Sequence, residues 1–229
     1  MAIWTLTQPD PSDAEKNWHL LASSSDGLNL IVGVDGGGNT GLFISTDGGS
    51  NWSETQPTGG REGNWYAACS SSDGLKLIVC QGSGRVYRSI NGGSSWFETQ
   101  PRGGVNDIWH ALSCSSDGTK IIIGSTSIGR LYLSTNSGVN WVETQPAGNF
   151  NKDWDNAISS SDGSSLLSIG SGHIYISTNS GSSWSEVQPG GKSGSWFCCA
   201  SSSDFSKIIV GEYPGRLYIS IDNGATWNT

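Results

Sequence analysis

Five tryptophans stand where binding chemistry is feasible: Trp18, Trp65, Trp109, Trp154 and Trp196, each eight residues before the acid of a recurring Ser-Ser-Asp element at Asp26, Asp73, Asp117, Asp162 and Asp204. Asn17, Asn64, Asp107 and Asp153 lie just before four of them. An indole face can stack on the apolar face of a sugar ring while nearby Asn, Asp and backbone groups bind its hydroxyls. A second candidate set is Arg85, Arg130 and Arg216, each following a glycine, with His173 in the equivalent place. A cation there suits a carboxylate or a hydroxyl. Each set also has a structural reading: the tryptophans as packing between repeated units, the arginines as solvated or acid-paired groups at a strand start.

Other chemistries find little support. Glu54, Glu98, Glu143 and Glu186 recur along short strands, where charge protects an outer edge, and are read as non-catalytic. Asp47-Gly48-Gly49 superficially resembles a calcium loop but lacks the later acidic ligands, so no metal and no cofactor are expected. The five cysteines, Cys69, Cys80, Cys114, Cys198 and Cys199, follow no C-x-x-C spacing and are read as unpaired thiols. With 12 Lys and Arg against 20 Asp and Glu, and no basic stripe, nucleic acid and anionic membranes are poor partners. No apolar run reaches the roughly 20 residues of a membrane span. The opening Met-Ala-Ile-Trp-Thr-Leu-Thr has neither a charged nor an apolar signal region, so a soluble chain is expected, without assignment to a compartment.

The elements that must position these residues follow from internal repetition. Trp52-Ser-Glu-Thr-Gln-Pro57 returns from Trp96, Trp141 and Trp184, at intervals of 44, 45 and 43 residues. One unit reads as four strands, Trp65 to Cys69, Leu75 to Cys80, Arg85 to Ser89 and Trp96 to Gln100, separated by Ser-, Gly- and Asn-rich turns. Second strands such as Leu-Lys-Leu-Ile-Val are apolar on both faces and belong inside a stack of sheets. Four antiparallel strands in such a repeat make a propeller blade. The expected fold is an all-β, five-bladed β-propeller in one domain spanning 1–229, with repeats at 10–57, 58–101, 102–146, 147–189 and 190–229 plus 1–9.

The turn before each fourth strand carries Ser-x-Asp/Asn-x-Gly-x-x-Trp, from Ser45 to Trp52 and again to Trp96, Trp141, Trp184 and Trp227. This resembles the Asp-box, or BNR repeat, of sialidases, certain glucanases and photosystem II assembly factors. Asp47 and Asp222 keep the acid whereas Asn91, Asn136 and Asn179 replace it, which favours turn stabilisation over a charge-dependent role. Trp4-Thr-Leu-Thr-Gln-Pro9 matches a fourth strand, so the N-terminal strand is expected to complete the last blade and close the ring; exchange of that strand between two chains is the alternative.

The resemblance implies that Asp-boxes face away from the functional surface, leaving the fourth-to-first and second-to-third strand loops for recognition. A sialidase is not expected, because an arginine triad and a Tyr/Glu nucleophile pair are not evident among the scattered arginines. The expected function is a non-catalytic, multivalent carbohydrate-binding module, architecturally similar to five-bladed tachylectin-type lectins, with inter-blade sites. Its expected partner is a glycan or other small polar ligand at repeated sites. A protein-protein or assembly scaffold is the competing class.

Overall fold

The computed structural model describes residues 6–10, 15–36, 40–60, 63–82, 84–104, 106–127, 129–191 and 193–229. Five antiparallel sheets follow one another along the chain. The first contains β1 (Trp18–Ser23), β2 (Leu30–Val34), β3 (Leu42–Ser45) and β4 (Ser53–Thr55). The second contains β5 (Trp65–Ser70), β6 (Leu77–Gln81), β7 (Val86–Ser89) and β8 (Phe97–Thr99). The third runs through β9 (Trp109–Cys114), β10 (Ile121–Ser125), β11 (Leu131–Ser134) and β12 (Val142–Thr144). The fourth runs through β13 (Trp154–Ser159), β14 (Leu166–Gly170), β15 (His173–Ser177) and β16 (Ser185–Val187). The fifth has three strands, β17 (Trp196–Ser201), β18 (Ile208–Glu212) and β19 (Leu217–Ser220), and an isolated bridge from Ile219 to Asn228 at its outer edge.

Local chemistry explains the hairpins. In the first-to-second turn, Asp26 Oδ1 accepts the Leu28 N–H at 3.0 Å and the Ser24 hydroxyl at 2.6 Å, which folds the chain back on itself. These bonds to its anionic form hold the Asp26 carboxyl below the ordinary range, and Asp117, Asp162 and Asp204 are held down to about 2 by the same kind of Ser and backbone partners. Phe205 occupies the place of the glycines at 27, 74, 118 and 163 with a left-handed φ of 63°, and its fully buried ring compensates by filling the core.

The Ser-x-Asp/Asn turns are equally regular. Gly49 donates its N–H to Ser45 Oγ at 2.8 Å, and Asn51 donates to Asp47 Oδ1 at 2.8 Å. Gly93 and Ser95 make the same bonds to Ser89 Oγ and Asn91 Oδ1, at 2.8 and 2.9 Å. An amide oxygen does what the carboxylate does, so the turn needs an acceptor and not a charge.

Successive sheets stack through their faces. Leu20, Ile31 and Leu42 of the first sheet meet Trp65, Leu77 and Val79 of the second, and three similar clusters fill the next joints. The middle strands β6, β10 and β14 are buried at every position, which accounts for their apolar character on both faces. At one end of the sheets a backbone girdle joins all five: Ser25 N–H donates to Ser72 O, Ser72 to Ser116 O, Ser116 to Ser161 O and Ser161 to Ser203 O, at 2.7–2.9 Å.

Trp4 lies outside the described residues. Thr7 nevertheless occupies the position of a fourth-strand threonine. It donates to Gly49 O at 2.7 Å and accepts the Trp52 indole N–H at 2.8 Å, as Thr55 does with Gly93 and Trp96. Residues 6–9 do not pair as a strand with the fifth sheet, and among the described residues four of the five sheets have four strands.

Candidate functional site

Each first strand begins with its tryptophan at the end opposite the Asp-type turns, and each breaks register immediately afterwards. Partners pass from Trp18 to Leu20, Trp65 to Ala67, Trp109 to Ala111, Trp154 to Asn156 and Trp196 to Cys198. The skipped residues are His19, Tyr66, His110, Asp155 and Phe197. A bulge of this kind re-aims the extra side chain out of the alternating pattern. Because β1, β5, β9, β13 and β17 lie side by side, the five bulges form one row.

The row is continuous. The His19 and Tyr66 rings are 5.5 Å apart, and Tyr66 and His110 meet edge to face at 5.3 Å and 89°. A Cβ at Gly82 would come within 2.8 Å of Tyr66 Cζ, so glycine is what leaves room for the phenol. Asp155 lies next along the row. At its end Phe197 packs against Tyr213 of the β18–β19 connection at 6.1 Å, both rings over 70% exposed. The remaining members are exposed except Tyr66, which is half-buried.

Electrostatics link the members. Desolvation by the flanking strands lowers the His110 pKa, with Asp155 and Asp35 opposing that effect and His19 adding to it. Desolvation also raises the Asp155 carboxyl, assisted by Asp153 and opposed by His110. The row thus holds two groups whose charged forms desolvation disfavours, His110 and Asp155. It offers aromatic faces, ring nitrogens and a carboxylate within one surface strip.

The residues singled out from sequence are distributed differently. Trp65, Trp109, Trp154 and Trp196 are only 1–5% exposed. Their rings pack edge-on against Tyr87, Tyr132, Tyr175 and Tyr218, and the Trp109 and Trp154 indoles donate to Gly84 O and Gly129 O. The preceding sheet covers them, which corrects the sugar-stacking expectation at these four positions. Trp18 is 44% exposed.

The polar neighbours hold loops. Asn64 Oδ1 accepts the Gly36 N–H at 3.0 Å, and Asn17 O accepts that of Asp35 at 2.9 Å. Asp107 is buried, accepting the Ser125 and Ser127 hydroxyls, while Asp153 exchanges bonds with Ser171. Arg85, Arg130 and His173 pair with Glu98, Glu143 and Glu186 on their own outer hairpins at 2.5, 3.3 and 2.8 Å. Arg216 is exposed at the start of β19, and these four are not gathered with the tryptophans. Among the described residues no group of three or more His, Cys, Asp or Glu is placed to hold a metal ion.

A depression of about 520 Å³ lies on the outer edge, lined by Ile44, Asp47, Asn51, Glu54 and Gly93. Its Asp47 is already committed to Ser45 and Asn51, and the Gly93 carbonyl to Thr55. Polar groups consumed by turn bonds are poor ligand partners, so the bulge row is the better candidate. It was missed because sequence does not show where a strand slips register. The available signal was that the residue after each tryptophan is never small or aliphatic.

No protein-family model and no curated protein matches the sequence. Solved structures do resemble it. A GH74 enzyme of Niastella koreensis superposes with a TM-score of 0.73 at 22% identity, over 93% of this chain and 38% of that one. YCF48 bound to a D1 peptide gives 0.66 at 18%, over 92% and 66%. The GH74 xyloglucanase of Xanthomonas campestris gives 0.70 at 16%, over 93% and 38%. The fold is a β-propeller. The chain spans under two-fifths of the GH74 enzymes and just under two-thirds of the YCF48 chain, and identities this low establish architecture alone. Among the described residues no helix is long and apolar enough to cross a membrane.

Proposed function

We propose that the chain is a single five-bladed, non-catalytic binding module that takes a glycan along the bulge row. The observation that supports this reading most is the exposed Phe197–Tyr213 pair in line with Asp155, His110, Tyr66 and His19. The aromatic pair gives a platform for a sugar face, and the ring nitrogens, phenol and carboxylate are hydroxyl partners. The five strands contribute four different residue types, so an extended saccharide fits better than five copies of one small site. Within the row Asp155 stands between a histidine and a phenylalanine. Glycoside hydrolysis usually places two carboxylates across the scissile bond, and the row does not supply that pair.

Glycan-array screening of the purified chain, followed by calorimetry, tests the reading. Tyr213→Ala and Asp155→Asn should each weaken binding by about tenfold, the scale of one lost stack or one charge-assisted hydrogen bond. Arg85→Ala, on the outer hairpin, should leave affinity unchanged. Equal loss from all three variants, or no glycan bound by the folded protein, removes the basis of the proposal. Asp35 and Asp155, which both act on His110, and Asp153, which acts on Asp155, favour a basic peptide as the second reading. Salt separates the two: peptide affinity should fall steeply with ionic strength and stacking-based affinity should not.

A further inference from the structure

The four internal joints share one pattern, and the two terminal sheets each expose half of it. Register aligns Leu20, Ile31, Leu42 and Ile44 of the first sheet with Cys198, Ile209, Leu217 and Ile219 of the fifth. Leu42 and Ile31 are sealed by the second sheet at 1–2% exposure, whereas Leu217 is 59% exposed, Ile219 47% and Ile209 36%. The complementary half lies on the first sheet. Trp18 and Leu21, in register with Trp65 and Ala68, are 44% and 78% exposed.

Two details fit these halves to one another. Three of the four internal joints seat a third-strand aliphatic residue on the Asp-box glycine of the next sheet: a Cβ at Gly93 would lie 2.0 Å from Ile44, and one at Gly181 or Gly224 would lie 2.2 Å from Leu133 or Ile176, while at the remaining joint, where Arg88 holds that register position, Ile78 lies 3.1 Å from a Cβ at Gly138. A Cβ at Gly49 of the first sheet would meet only Leu30 and Trp52 of its own sheet among the described residues, at 3.5 and 3.6 Å, and Ile219 is the residue in register to fill that seat. Thr7, moreover, already supplies the first sheet with the threonine contact that a preceding sheet's outer strand provides elsewhere. The matching occupant is a sheet without a paired outer strand, and among the described residues the fifth sheet has three strands.

We propose that two copies of this chain associate head to tail, the fifth sheet of one seated on the first sheet of the next. Among the described residues both faces are open at once within a single chain. The segment carrying Thr7 is held to the first sheet, with Pro9 and Asp10 buried and Asp10 paired to Lys16 at 2.8 Å. The contact is heterologous, each copy using a different face, so it propagates until a ring of copies closes or a filament forms. It repeats, between molecules, the joint that already holds four pairs of sheets within one.

Sedimentation and light scattering of the full chain across concentration, with thiol labelling of Cys198, test this. Cys198 aligns with the sealed Leu20, so it should be protected in the assembly. Leu217→Glu blocks one face and Leu21→Glu the other; each variant alone should be monomeric with native circular dichroism and rapid Cys198 labelling. Mixed, they should form a 1:1 complex of twice the monomer mass and stop there, because the two faces left uncovered are the blocked ones. A wild-type chain that stays monomeric at every concentration overturns the proposal. In that case a reactive Cys198 means the faces stay bare, and a protected one means the chain closes on itself.

Discussion

Replacing Ser134 by alanine removes one hydroxyl, and the structure says what that hydroxyl does. Ser134 is 3% exposed; its Oγ accepts the Gly138 N–H at 2.9 Å and the Asn136 N–H at 3.3 Å, and donates to Asn136 Oδ1 at 3.1 Å. Without it the buried Gly138 N–H has no acceptor from this turn, a loss of about 1–3 kcal/mol. For a domain of this size that corresponds to a fall in melting temperature of roughly 2 to 12 °C. Asn136→Asp is the matched control. It keeps an exposed acceptor for the Asn140 N–H, now 2.8 Å from Oδ1, and should change stability by less than about 0.5 kcal/mol. Thermal and urea unfolding followed by circular dichroism give both numbers. If Ser134→Ala melts with the wild type, or Asn136→Asp moves stability more than it does, the argument that buried hydroxyls and not side-chain charge hold these turns is refuted.

Trp109→Ala should cost about 3–5 kcal/mol, the usual range for an aromatic removed from a packed core, and Trp18→Ala much less, since Trp109 is 1% exposed and Trp18 44%; equilibrium unfolding compares them. Ser115→Ala should raise the Asp117 carboxyl from about 2 toward its ordinary value in a carboxyl NMR titration, because the Ser115 hydroxyl is the largest influence holding it down. A carboxylate whose folded pKa lies below its unfolded value stabilises fully above the unfolded value and loses that contribution as pH falls. Asp117, Asp162 and Asp204 should therefore withdraw support between about pH 4 and pH 2, seen as a falling unfolding midpoint in that window. Cys69 and Cys80 are buried with pKa values raised by desolvation, and Cys199 is pushed up to about 12, so a thiol reagent near pH 8 should modify Cys198 first in any monomeric form.

What sequence revealed here is what local chemistry decides. The repeat, the four strands in each of four units, and both turn types follow from residues within a few positions of one another, and the hydrogen bonds of Asp26 and Ser45 are the ones their spacing calls for. Properties created between strands or sheets were not legible. The covering of Trp65 depends on Leu20, Ile31 and Leu42, three strands of a different sheet. The outward turn of Tyr66 depends on a slipped register against Gln81 and Cys80, which no alternation pattern announces. Arg85 and Glu98 were read apart, as a ligand group and an edge charge, because the pairing that joins them runs across a hairpin.

The girdle from Ser25 to Ser203 runs from sheet to sheet through main-chain groups, with one added bond from the Ser25 hydroxyl to Ser72 O. A coupling of that kind is blind to side-chain identity: any unit that brings the same turn conformation to the same place can be linked to any other. Units could thus be duplicated, deleted or exchanged in evolution without new joinery. The five residues of the bulge row were free to diverge into histidine, tyrosine, aspartate and phenylalanine while the attachment between neighbours stayed the same.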